Sequence, residues 1–194
     1  MPLSIAIIAY GSLIWDEDCL APHITGGWAR GTGPALPVEF SRISPKRKQA
    51  LVLVIDETAP APVPTSVTTS RRTCLHEAAH DLARREHAPI GAIGMADGQR
   101  AMNCPESIGR RVNTWLAAQE RFDAAVWTNL PGNFRAITGE DFSHARAIRW
   151  LQSLPRESLK EGWRYITFAP RETATPFRRH LQAHPWWQSL DFSR

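Results

Sequence analysis

Five apolar residues near the start of the chain, Ile5-Ala6-Ile7-Ile8-Ala9, limit the possible folds more than any other feature. The run is rich in β-branched residues and ends at Tyr10-Gly11, which predicts a fully buried strand followed by a loop. With 43% hydrophobic residues among 194, the chain is able to bury a full core around this strand. We therefore expect a globular protein with one domain spanning residues 1–194.

The same composition makes several classes of protein unexpected. No basic segment precedes the apolar run, and no stretch approaches the roughly 18 apolar residues of a membrane span. Three widely spaced cysteines form neither a disulfide framework nor a CxxC metal site. We expect a cytoplasmic protein with no membrane partner.

The formal net charge is +4, but the basic residues occur as scattered pairs rather than as one stripe. The densest cluster, Lys46-Arg47-Lys48, is interpreted as a solvated turn rather than a phosphate-binding patch. Nucleic acid is therefore not an expected partner.

The middle of the chain alternates strand, extended and helical patterns. Residues 36–40 and 49–55 predict two strands of a hairpin around the basic turn. The segment 58–69 contains only Pro, Ala, Thr, Ser and Val, and its prolines predict an extended surface segment. Residues 71–86 predict the clearest helix, with Ser70 as its N-cap.

The second half predicts mixed elements without a regular βαβ repeat. A short strand is expected at residues 91–95 within an otherwise irregular segment, followed by a helix at 108–119 and a strand at 124–127. A further helix is expected to begin at Thr138-Gly139-Glu140-Asp141, with Phe142 and Leu151 on its apolar face. The expected fold class is α+β.

Glu86 is the first candidate for chemistry. On a helical wheel it falls about 20° from Leu75 and points with the apolar stripe. A carboxylate that faces a core is costly to bury unless it is hydrogen-bonded, and catalytic carboxylates occupy such positions. The alternative is that the helix frays and Glu86 pairs at the surface with an arginine such as Arg85 or Arg42.

Tyr10, Gly11, Ser12 and Leu13 form the second candidate. A glycine directly after a buried strand lets the backbone approach a ligand and turn N–H groups toward an anionic or developing oxyanion centre. The alternative is a simple turn from strand to loop, with Tyr10 packed in the core.

Taken together, the two motifs resemble those of the γ-glutamylcyclotransferase and ChaC-like superfamily. The strand leading into Tyr10-Gly11-Ser12-Leu13 resembles the amino-terminal motif of that superfamily, and Leu82-Ala83-Arg84-Arg85-Glu86 resembles the helix end that carries its catalytic glutamate. Residues 163–166, followed by Ala169-Pro170, are similar to its closing helix and tail.

The resemblance implies a small β-barrel surrounded by helices. It also implies an enzyme without a cofactor or metal, which cyclises a γ-glutamyl group to 5-oxoproline and releases an amine or amino acid. Glu86 would transfer the protons, the amides at Gly11, Ser12 and Leu13 would stabilise the oxyanion, and Tyr10 would contribute to substrate binding. Arg42 would bind a substrate carboxylate or neutralise Glu86.

Two other functions are compatible with the sequence. An expected pocket between Tyr10-Gly11-Ser12-Leu13 and the carboxylate of Glu86 could serve a non-catalytic module that binds a γ-glutamyl group or an amino acid. His76-Glu77-Ala78-Ala79-His80 matches the H-E-x-x-H motif of zinc hydrolases on a predicted helix, although Glu86 occupies the third-ligand position of the extended motif. For Trp186-Trp187, core packing is the usual explanation, and docking of an exposed tail on the domain or on a second subunit is the alternative.

Overall fold

The structure is a computed structural model that describes residues 2–192. These residues form two compact units, the first from residues 2–36 and 64–130 and the second from residues 37–63 and 131–192. In chain order the strands are β1 (Ile5–Ala9), β2 (Ile24–Ala29), β3 (Val38–Ser44), β4 (Ala50–Ile55), β5 (Ser66–Ser70), β6 (Ile93–Ala96), β7 (Ala101–Met102) and β8 (Ala124–Thr128). The α-helices are α1 (Leu75–Glu86), α2 (Glu106–Ala117), α3 (Phe134–Thr138), α4 (His144–Ser153), α5 (Arg156–Phe168), α6 (Pro176–Gln182) and α7 (Pro185–Gln188).

The first unit is built on a six-stranded mixed sheet with the strand order β2-β5-β1-β8-β6-β7. Strand β1 lies inside this sheet, antiparallel to β5 and parallel to β8. All five of its residues are buried, which confirms the buried strand predicted from the apolar run. The loop that follows β1 therefore starts from a strand that is held on both edges.

Helix α1 packs on this sheet through one face. Its residues Ala78, Ala79 and Leu82 share a core with Ile7 of β1 and Val126 of β8. Burying a leucine side chain in this way adds roughly 2 kcal/mol to the free energy of unfolding, relative to leaving it exposed. The apolar stripe predicted for the helix is thus the face that fixes α1 on the sheet.

Two predictions around α1 are wrong in detail. The segment 58–69 was expected to lie on the surface, but its end enters β5, where Ser66, Val67 and Thr68 are buried between β1 and β2. The prolines precede the strand and so remove no hydrogen-bond donor from it. Helix α1 begins at Leu75 after Cys74, while the Ser70 hydroxyl accepts a hydrogen bond from the Arg72 amide instead of capping the helix.

In the second unit, β3 and β4 form the expected antiparallel hairpin around a turn that contains Lys46 and Arg47. Helix α5 packs against β4, and α6 packs against β3. The helix predicted to begin at Thr138-Gly139-Glu140-Asp141 begins later, as α4 after Ser143, whose hydroxyl accepts from the Arg146 amide. Phe142 therefore lies before the helix, whereas Leu151 is buried on it. A separate short helix, α3, ends at Thr138 and is followed by Gly139, whose φ of 77° suits a residue without a side chain.

The expected β-barrel is not found among residues 2–192. The outer strands of the six-stranded sheet, β2 and β7, have no strand beyond them, and β3 pairs only with β4. The mixed α+β class is confirmed. Among the described residues, no helix combines the length and the apolar character that crossing a membrane requires.

Candidate functional site

The loop after β1 is a single turn of 3₁₀ helix at Ser12–Ile14. Tyr10 precedes it with a buried ring, and its hydroxyl donates a hydrogen bond of 2.7 Å to the carbonyl oxygen of Thr128. Thr128 is the last residue of β8, so this bond ties the start of the loop to the end of the neighbouring strand. The loop therefore has a fixed entry point.

Among residues 2–192, the turn leaves two backbone donors without a backbone acceptor. The carbonyl oxygens of Gly11 and Ser12 accept hydrogen bonds from later amides, those of Ile14, Trp15 and Asp16. The amides of Ser12 and Leu13 begin the turn and have no backbone acceptor within residues 2–192. Such N–H groups are suited to an anionic ligand or to an oxyanion that forms during a reaction.

Glu86 is the last residue of α1. The next residue, His87, has a left-handed conformation with φ of 51° and ends the helix. The Glu86 side chain is 16% exposed, and its Oε1 accepts a hydrogen bond of 2.8 Å from Nη1 of Arg85. Its Oε2 has no hydrogen-bond partner among the described residues, and it is not sealed from solvent.

Arg85 connects Glu86 to the loop. Its side chain is only 5% exposed, and both Nε, at 3.1 Å, and Nη2 donate to the carbonyl oxygen of Asp16. Nη2 also lies 3.9 Å from the Asp16 carboxylate. The Asp16 amide in turn donates to the Ser12 carbonyl oxygen at 2.9 Å. A continuous series of polar contacts therefore runs from Glu86 to the 3₁₀ turn.

Apolar packing supports the same arrangement. Leu13 and Ile14 of the turn belong to the core cluster that contains Leu82 and Ala83 of α1. The first unit thus brings together five of the residues singled out from the sequence: Tyr10, Gly11, Ser12, Leu13 and Glu86. Their assignment as site residues remains a prediction.

Arg42, the sixth, belongs to β3 of the second unit. Its Nη1 donates a hydrogen bond of 2.7 Å to the carbonyl oxygen of Pro131, in the same unit. Within the first unit, the arginine in contact with Glu86 is Arg85. Both roles considered for Arg42, binding a substrate carboxylate and neutralising Glu86, stay predictions.

The H-E-x-x-H motif lies in α1, as a zinc hydrolase would require, but both of its histidines, His76 and His80, are exposed. Among the described residues, no group of three or more His, Cys, Asp or Glu side chains is placed to hold a metal ion. The motif is therefore two exposed side chains on the outer face of a helix.

Sequence reasoning had treated Arg85 only as a surface partner of Glu86 and had given Asp16 no role. On the helical wheel Arg85 falls about 80° from Leu75, at the border of the apolar stripe. Its burial depends on the Asp16 carbonyl oxygen, which another segment of the chain supplies. A wheel of one helix contains no signal for such a partner.

Comparison of the chain with protein-family models, with curated proteins and with solved structures gave no match.

Proposed function

We propose that the chain is a γ-glutamylcyclotransferase-like enzyme. The observation that carries this proposal is the connection between Glu86 and the turn at Ser12–Ile14, made through Arg85 and Asp16. A carboxylate with one free oxygen and two backbone donors without acceptors are the groups that an intramolecular acyl transfer uses.

The reaction begins with the α-ammonium of the γ-glutamyl group. Glu86 removes one proton, and the free amine nitrogen attacks the γ-carbonyl carbon of the same molecule, forming the new C–N bond of a five-membered lactam. The carbonyl oxygen becomes an oxyanion, which accepts hydrogen bonds from the amides of Ser12 and Leu13. Gly11 lets the substrate approach the backbone.

Collapse of this intermediate restores the carbonyl and breaks the original C–N bond. Glu86 returns its proton to the departing nitrogen, and the attacking nitrogen gives up its second proton to solvent. 5-Oxoproline and a free amine then leave, and the enzyme is unchanged. The nucleophile and the carbonyl belong to one molecule, which makes binding in a cyclic geometry the main requirement. All of these steps proceed without a cofactor.

The test is 5-oxoproline release by the purified protein from a panel of γ-glutamyl amines, γ-glutamyl dipeptides and glutathione. Glu86→Gln keeps the shape and the acceptor for Arg85 but cannot accept the proton, so we expect turnover to fall roughly 10²- to 10⁴-fold. The matched control is Glu77→Gln, an exposed glutamate of the same helix, which should retain full activity.

Retention of activity by Glu86→Gln would contradict the proposal. Saturable binding of γ-glutamyl compounds without release of 5-oxoproline would favour the non-catalytic binding module instead. A Glu86 side chain turned to solvent would favour that module, whereas the side chain here is only 16% exposed.

A further inference from the structure

Arg85 is a buried guanidinium that contacts two separate parts of the first unit at once. Nη1 holds Oε1 of Glu86 at 2.8 Å, and Nε and Nη2 both donate to the carbonyl oxygen of Asp16. A guanidinium is able to do this because it is planar and carries donors on several edges. The two contacts thereby fix Glu86 and Asp16 relative to each other.

The geometry also distinguishes the two oxygens of Glu86. Oε1 is occupied by Arg85, whereas Oε2 has no partner among the described residues. Without Arg85 the carboxylate would be free to rotate, and either oxygen would point toward the reacting nitrogen only part of the time. A carboxylate that transfers a proton benefits from one fixed oxygen, because misplacement by about 1 Å is costly in rate.

The contact with Asp16 acts on the loop. The Asp16 amide donates to Ser12, and the Trp15 amide donates to the same carbonyl oxygen. Anchoring the Asp16 carbonyl therefore stabilises the turn whose first two amides have no backbone acceptor among residues 2–192. One side chain holds both the proton-transferring group and the oxyanion donors.

We propose that Arg85 is a positioning residue. It presents Oε2 of Glu86 as the proton-accepting atom, and it holds the Ser12–Ile14 turn in a fixed position relative to Glu86. This inference rests on the proposed function. It adds a residue that does not touch the substrate but sets the distance between the two groups that do.

The experiment compares Arg85→Ala, Arg85→Lys and the control Arg84→Ala. Arg84 is the exposed neighbour on the same helix and tests for a general loss of positive charge. Two quantities are measured for each protein: hydrogen–deuterium exchange of the Trp15 and Asp16 amides, and kcat and KM for 5-oxoproline release. Both are repeated with added ethylguanidinium, which refills the space left by the arginine.

In Arg85→Ala we expect exchange of the two amides to accelerate about tenfold or more, because the turn loses its anchor. We expect kcat to fall about 100-fold while KM stays within about threefold, because positioning acts on the transition state. Ethylguanidinium should reverse both changes. Lysine should recover part of kcat but not slow exchange, because one ammonium cannot hold both partners.

Unchanged exchange in Arg85→Ala would overturn the anchoring of the turn. If Arg85→Ala showed faster exchange but full turnover, while Glu86→Gln was inactive, the positioning role would be overturned. The proposed function would still stand. If the wild-type protein released no 5-oxoproline, the proposed function and the catalytic half of this inference would both fall, and exchange would decide the structural half. Should Arg85→Ala not fold, Arg85→Gln provides the same comparison.

Discussion

In the first unit, the buried Arg85 contacts the carboxylate of Glu86. In the second unit, the hydrogen bonds that the side chains of the buried Glu39 and Arg178 form with described residues are to neutral groups, although the charge of Glu172 also acts on Arg178. Asp81 follows the pattern of the first unit, since its carboxylate contacts Arg72 at 2.7 Å and His23 at 3.4 Å. The hydrogen bonds to Asp81 raise the pKa of Arg72. In these two examples from the first unit, a buried charged side chain is paired with a side chain of opposite charge.

Glu39 shows the other solution. It is 2% exposed, and its two oxygens accept from the amides of Phe40, at 2.9 Å, and Phe177, at 3.1 Å. Burial raises the pKa of Glu39, which these hydrogen bonds and that of Thr175 only partly offset, while Asp56 adds in the same direction as burial. The guanidinium of Arg178 donates to backbone carbonyl oxygens, and burial lowers its pKa.

This difference in partners bears on which buried glutamate has an oxygen available to a ligand and which has both oxygens occupied by the fold. When a carboxylate pairs with a guanidinium through one oxygen, the two charges neutralise each other and the second oxygen stays available to a ligand. Glu86 is in this position. Glu39 has only neutral donors around it, and both of its oxygens accept hydrogen bonds from backbone amides. We therefore interpret Glu39 as a structural residue, although it is the more deeply buried of the two glutamates.

The largest effect that would test this comparison is on stability. Glu39→Ala leaves the buried amides of Phe40 and Phe177 without acceptors, and each such loss costs about 1–3 kcal/mol. We expect the free energy of unfolding, measured with urea, to fall by roughly 2–5 kcal/mol. The exposed Glu157→Ala in the same unit should change it by less than about 0.5 kcal/mol.

A smaller effect concerns pH. Because the pKa of Glu39 is raised in the folded state, its stabilising contribution is full below the unfolded value near 4.5 and is lost as pH rises through the folded pKa. The free energy of unfolding of the wild type, minus that of Glu39→Gln, should therefore decrease on going from pH 4 to neutral pH. A flat or rising difference would show that Glu39 is compensated like the carboxylates of the first unit.

The smallest effect should come from His144. Burial, with a contribution from the neighbouring His180, lowers the pKa of His144 in the folded state. Its contribution to stability is therefore present above the unfolded value near 6.5 and is lost as pH falls through the folded pKa. We expect the acid loss of stability to be shallower in His144→Gln, while the exposed His76→Gln should follow the wild-type slope.

Much of the site's scaffold was predictable because it depends on local patterns. The strand β1 is encoded by five consecutive apolar residues, and the inward direction of Glu86 follows from its spacing to Leu75 on one helix. Arg85 was named beforehand only as an example of a surface partner of Glu86, and its buried position beside Glu86 required the structure. The barrel was implied by the resemblance alone, and among residues 2–192 the six-stranded sheet instead ends in β2 and β7, which have no strand beyond them.

Residues distant in sequence account for what was missed. The burial of β5 depends on pairing with β1 and β2, which no pattern within residues 58–69 reveals. Glu39 lies in a correctly predicted hairpin, but its burial depends on Phe177, far along the chain. In both cases the partners that make burial possible come from other segments.

The sequence by itself determined the mixed α+β class, the buried strand, the helix ending at Glu86 and the loop that follows Tyr10, because periodicity and apolar content act over a few neighbouring residues. Only the tertiary structure decided the strand order, the division into two units and the connection of Glu86 to the loop through Arg85 and Asp16. The physical reason is that a buried polar group must find its partners, and those partners are chosen by the folded chain.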